Sequence, residues 1–148
     1  MSAARPKMRM REKLVLRIVA KRFVPFVLLF GLYVHAHGDF GPGGGFQAGV
    51  IFAGGLILYA MIFGADELER VAPRRVVERL VAAGVLLYAG VGLATLLLGG
   101  NFLDYDVLAR DPSAGQHLGI LLVELGVGLT VAAVMTSIFL AFASRGRG

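Results

Sequence analysis

Five residues of this 148-residue chain could carry ion or proton chemistry. His35, His37 and Asp39 lie within the stretch HAHGDFGPGGGFQAG (residues 35–49), and His117 and Glu124 lie near the start of a later apolar run. Two histidines and an aspartate this close invite a metal-site reading. Residues two apart do not share a helical face, however, and only His117 is available as a further ligand, so no metal site is expected. The glycines after Asp39 suggest a phosphate cradle. Such a loop must end in Gly-Lys-Ser/Thr, because the lysine meets the phosphates and the hydroxyl meets magnesium; here Phe46 and Gln47 follow instead. Gly43, Gly45 and Ala48 match a dinucleotide spacing with alanine in third place, but no strand precedes them. Without a nucleophile–base pair or a ligand set, no enzyme and no cofactor are expected.

Glu124 is a different case, being the sole charge in the 27-residue run Leu118 to Ser144. A carboxylate is expensive in hydrocarbon, and the default reading of one is an ion or proton pathway. The structural alternative is an anchor that hydrogen-bonds a neighbouring helix, through Thr95, Tyr88 or another subunit. Glu124 follows His117 by seven residues, so the two share a helical face with Glu124 roughly 10 Å deeper. His35, His37, Asp39, His117 and Glu124 are the ion-pathway candidates. Tyr33, Tyr59 and Tyr88 are assigned to packing.

The elements that must position these groups are apolar helices. Hydrophobic residues make up 57% of the chain and charged residues 17%, and mean hydropathy is +0.74, which does not suit a soluble domain. The 21 glycines lie among Leu, Val and Ala and show no collagen period, and the absence of cysteine removes disulfides and thiolate chemistry. Phe46 to Ala65 and Leu80 to Gly99 are 20-residue runs without a charge. With Leu118 to Ser144, each is long enough to cross a hydrocarbon core of about 30 Å. The first run, Phe23 to Ala36, has only 14 residues, so a full span must begin near Leu16 and take in Arg17, Lys21 and Arg22, whose long side chains can snorkel to headgroups. A signal peptide with Val34-His35-Ala36 as a weak cleavage match is the rival reading; a retained helix is preferred. The expectation is an all-α integral membrane protein, a single membrane domain over 1–148. It has a basic N-terminus (1–15) and four transmembrane helices at about 16–36, 46–65, 78–99 and 117–143.

Lysine and arginine counts set the orientation. The first 22 residues hold eight, the first connection none, the second four, the third one and the C-terminal tail two. This alternation fits the positive-inside rule with both termini cytoplasmic, and it puts all three histidines at the outer face. The net charge of +5 sits in blocks between apolar runs, so nucleic acid is not an expected partner, whereas the lipid bilayer is. The second connection, ADELERVAPRRVVERL, reads as a surface helix broken at Pro73, with Glu67 and Glu69 spaced to pair with Arg70, Arg74 or Arg75.

The structural role of the glycine stretch then follows. Pro42 fixes φ while Gly43 and Gly44 permit a tight reversal. Gly45, Gly49 and Ala53 continue at four-residue spacing, a small-residue stripe against which another helix can approach closely. Gly128, Ala132 and Thr136 repeat the device in the fourth helix.

HGDFGPGGGFQAGVIFAGGLIL, with Pro42, Gly43, Gly44, Gly45 and Phe46 as its centre, closely resembles the signature of the MnhB/MrpB family, a small component of the multisubunit Mrp-type (Mnh) sodium/proton antiporters. The resemblance covers most of the chain: a short basic start, four helices, and a fourth helix opening on Glu-Leu-Gly, matched by Glu124, Leu125 and Gly126. The basic extension is longer than the family pattern, and Ala48 stands where glycine is usual. The resemblance implies a non-catalytic component of a bacterial cell membrane complex that exchanges sodium ions for protons. Its implied partners are the other Mrp antiporter subunits (A, C, D, E, F and G). A MrpB-like component of a membrane-bound hydrogenase-type complex is one alternative. A small homodimeric proton-coupled exporter is another, although such exporters carry their acid in the first helix. Four helices without an internal repeat make a poor complete transporter.

Overall fold

A computed structural model describes residues 13–38 and 43–145. Among these residues every regular element is helical: α1 (Leu14–Ala36), α2 (Gly45–Phe63), α3 (Ala65–Val71), α4 (Arg74–Leu97), a 3-10 turn (Tyr105–Leu108) and α5 (Pro112–Arg145). The expectation of four spanning helices is met in part. Three helices, α2, α4 and α5, are long and apolar enough to cross a membrane. Helix α1 has 23 residues but does not join them, because Arg17, Lys21 and Arg22 crowd its first half.

Helix limits follow local chemistry. Gly44 (φ +121°) precedes α2 and Gly64 (φ +105°) follows it, and both occupy backbone conformations that a β-carbon disfavours. Gly64 turns the chain into α3, which stops at Ala72, and Pro73 admits α4 at the next residue. Pro112 occupies the first position of α5, where its missing N–H costs nothing. Thirty-four residues give α5 a length of about 51 Å, well beyond a hydrocarbon core of about 30 Å. Its first turns meet the 3-10 turn, where Gly115 and Gly119 lie against Tyr105.

The helices pack as a row, with α5 between α2 and α4, and α1 on the far side of α2. The contacts are made by small residues. A β-carbon on Gly84 would collide with Thr130 of α5, and one on Gly126 would stand 2.9 Å from the Gly84 carbonyl. Across the α1–α2 contact, a β-carbon on Gly55 would come within 2.8 Å of Leu28. Buried side chains are mostly Ala and Val, while Phe23, Phe26, Leu29, Phe30 and Leu86 point outward. This inverts a water-soluble core for a physical reason. Lipid is as apolar as leucine, so large side chains gain little by leaving it, and close backbone approach decides which faces meet.

One cluster departs from that pattern. Leu68 of α3 and Leu140 of α5 are fully buried and pack with Ala60, flanked by Leu56, Tyr59 and Phe139. The arginines beside it are paired as their spacing suggests. Arg70 Nη1 lies 2.7 Å from Glu67 Oε1, and Arg74 Nη2 lies 3.0 Å from Glu69 Oε1. Arg74 also donates to the Leu140 carbonyl at 3.4 Å, tying the start of α4 to α5.

Candidate functional site

Glu124 sits half-buried in the fourth turn of α5, the helix between α2 and α4. Its carboxylate meets the backbone on both sides of the 39–42 segment. A β-carbon on Gly38 would stand 2.6 Å from Oε2 and 3.0 Å from Oε1, and one on Gly44 would stand 3.0 Å from Oε1. A β-carbon on Gly45 would overlap the backbone carbonyl of Glu124 itself. Three glycines thus clear the space that this one glutamate occupies, and any side chain at those positions would displace it. The Gln47 side-chain oxygen is 3.6 Å from the same Gly44 position, at the edge of the site. Among the described residues no hydrogen bond or ion pair reaches the carboxylate.

The turn is tied to the end of α1. The Gly44 N–H donates to the Val34 carbonyl at 3.4 Å, the Gly38 N–H to His35 at 3.3 Å and the His37 N–H to Tyr33 at 3.0 Å. A β-carbon on Gly43 would press to 2.8 Å from the Val34 carbonyl. One glycine run therefore closes two contacts, against α1 through Gly43 and against α5 through Gly44 and Gly45.

The other candidates are dispersed. His35 is half-buried and lines one end of an apolar groove of about 440 Å³ that runs along α1, α2 and α5 to Ala72; Glu124 does not line it. His37 is exposed and stacks on Tyr33, with ring centroids 5.5 Å apart. His117 is exposed two turns before Glu124 on α5. Asp39 and Pro42 lie outside the described residues. Among the described residues no three of His, Asp and Glu gather as metal ligands.

The small-residue stripe packs within this chain. Gly49 and Ala53 are buried, and a β-carbon on Gly49 would come within 2.6 Å of the Gly128 carbonyl and 2.9 Å of Val131. Gly128 in turn faces the Gly45 carbonyl, while Phe46 points outward. The two stripes read from the sequence are therefore one interface seen from both sides. Thr136 is buried, but its hydroxyl is used within α5, donating to the Ala132 carbonyl at 2.7 Å.

Neither intrachain anchor proposed for Glu124 serves it. The Thr95 hydroxyl donates to the Gly92 carbonyl at 2.8 Å and accepts from the Leu103 N–H at 2.9 Å, which pins the 98–111 connection onto α4. Tyr88 lies near Tyr105, whose hydroxyl is held above the usual tyrosine pKa first by burial and then by Tyr88. The approach of Gly38 to Glu124, with Gln47 beside Gly44, was missed in the sequence. Both residues lie in the glycine stretch, but only the folded turn shows that they converge on a helix some eighty residues away.

Residues 15–137 match the family described as a domain related to the MnhB subunit of Na+/H+ antiporter. The chain belongs to the MnhB family. Among its relatives is antiporter subunit mnhB2 of Staphylococcus haemolyticus (strain JCSC1435), 35% identical over 130 residues, which cover 86% of this chain and 92% of the relative. The mnhB2 protein of Staphylococcus aureus (strain Newman) is 34% identical over 129 residues, covering 85% and 91%. The matched span of this MnhB-family chain holds α2, α4, the glycine turn and Glu124 together.

Proposed function

We propose that this chain is a small, non-enzymatic membrane subunit of a multisubunit sodium/proton antiporter, and that Glu124 lies on its ion pathway. Family membership supports the first part. The second rests on one observation: the Glu124 carboxylate lies against backbone at Gly38 and Gly44, while Gly45 packs on the Glu124 backbone, with no cationic side chain among the described residues to neutralise it. A membrane carboxylate so placed, with no cation to neutralise it, is available to a proton or a sodium ion. The turn would then be the outer wall of the site, with His117 nearer the surface on the same helix. His35, His37 and Asp39 belong to the approach.

The reading includes α1 as a fourth span. Its basic half would snorkel to the cytoplasmic headgroups, and both termini would be cytoplasmic in a bacterial inner membrane, as the charge alternation favours. The whole chain then forms a single membrane domain, with the other Mrp subunits (A, C, D, E, F and G) as its partners. Single cysteines introduced into this cysteine-free chain test the orientation. Residue 106 should label from outside and residue 69 from inside, and the reverse pattern would overturn it.

Glu124→Gln keeps size and hydrogen bonding but cannot ionise, whereas Glu124→Ala removes both. On the pathway reading, sodium-dependent proton exchange in everted vesicles falls to background in both variants at normal subunit levels. Glu124→Asp retains partial activity with altered pH dependence. A second reading, that Glu124 anchors α5 to the turn, is favoured by the same close packing. It requires the Gln variant to exchange like wild type and only Ala to fail.

A further inference from the structure

A polar cavity lies at the end of the molecule away from Glu124, where the first half of α1 passes the last turns of α2. Its volume is about 680 Å³, and Arg17 and Lys21 of α1 line it together with Tyr59 and Phe63 of α2. The two cations are four residues apart and so project from one face of the helix. The Arg17 guanidinium lies 5.5 Å from the centre of the Phe63 ring, which holds it at the cavity wall. Glu67 also lines the cavity, but its carboxylate is committed to Arg70 at 2.7 Å, and neither Arg17 nor Lys21 forms an ion pair among the described residues. Ile18 completes a wall that is apolar between the two charges.

We propose that this cavity binds the phosphate headgroup of an anionic phospholipid. Three features select a lipid over a soluble anion. Lys21 stands two residues before the uncharged stretch that begins at Phe23, which places both cations at headgroup depth in a spanning α1. The aromatic and aliphatic walls suit the glycerol and first methylenes of a lipid and offer a free anion nothing. The cavity also lies between α2 and α1, the outermost helix of the row, where a spanning chain meets lipid. The site goes beyond the antiporter reading and does not depend on Glu124.

The test uses the whole assembled complex, reconstituted in phosphatidylcholine nanodiscs with phosphatidylglycerol as the minor component. Phosphatidylglycerol retained after mild detergent extraction is counted by native mass spectrometry. Arg17→Gln with Lys21→Gln should lower retention roughly tenfold or more, and Lys21→Gln alone about fivefold, given the usual attraction of each basic residue for an anionic surface. Arg22→Gln removes a charge from the same helix outside the cavity and should leave retention unchanged. Excess inorganic phosphate should not displace the lipid. Wild-type retention in the double and single variants would overturn the proposal, as would an equal loss with Arg22→Gln, which means diffuse charge attraction. Displacement by inorganic phosphate would overturn it in favour of a soluble-anion site. Loss of other subunits with unchanged lipid would overturn it in favour of a seat for an acidic partner segment.

Discussion

Helix α5 makes two contacts, one midway along it and one near its C-terminus, that are built on opposite principles. Near Glu124 it meets α2 through Gly45, Gly49 and Gly128, where carbonyl groups stand where side chains would ordinarily be. Near Leu140 it meets α3 through fully buried leucines, fringed by ion pairs at 2.7 and 3.0 Å. The first contact belongs to a helix pair in lipid, where backbone approach and van der Waals packing do the selecting. The second resembles the core of a soluble protein, because α3 is a seven-residue helix carrying four charges and gains by removing Leu68 from water. At the first contact a carboxylate stands where side chains are absent, whereas at the second the charged groups, Arg74 on the Leu140 carbonyl among them, stay at the fringe.

Breaking each contact should give different costs. Gly49→Leu should have the largest effect, because the obstacle is the Gly128 carbonyl and the β-carbon of Val131, which cannot rotate away. The cost should exceed the ~1–3 kcal/mol of ordinary overpacking. Thermal denaturation and co-purification of the other subunits measure it. Full assembly with lost transport would show instead that the stripe serves ion movement. Leu68→Ala should cost less, about 2 kcal/mol, near the lower end for a buried leucine because a short helix can settle into the space. It should raise proteolysis at α3 while leaving exchange activity near wild type. Gly54→Ala should have the smallest effect and the opposite sign. Nothing lies within 4 Å of a β-carbon there, so alanine should stabilise α2 by up to about 1 kcal/mol through helix propensity alone. A melting temperature lowered by Gly54→Ala would indicate that this face meets another subunit in the complex.

Much of the helical plan is readable along the chain. Uncharged runs and the glycines and prolines between them place α2, α4 and α5, because length and hydropathy are one-dimensional properties. The pairing of Glu67 with Arg70 is likewise a matter of helical spacing. Helix α1 is where that logic weakens: Arg17, Lys21 and Arg22 deny it a plainly apolar window, and its role follows only from charge alternation across the whole chain. The early start of α5 at Pro112 was also concealed, since residues 112–117 are polar and gain their helical form by packing Gly115 against Tyr105.

Sequence alone determined the family, through the glycine motif and the Glu-Leu-Gly of α5, and it singled out Glu124 as the anomalous charge of an apolar span. It could not determine what meets that charge. Thr95 and Tyr88 were reasonable partners by residue type, yet the Thr95 hydroxyl is engaged by Gly92 and Leu103, and no hydrogen bond joins Tyr88 to Glu124 among the described residues. The folded chain put Gly38 and Gly44 there instead. A glycine offers only backbone, and no residue code records where a backbone will pass. That is fixed when α2 and α5 approach closely enough to set Gly44, and with it Gly38, against the carboxylate.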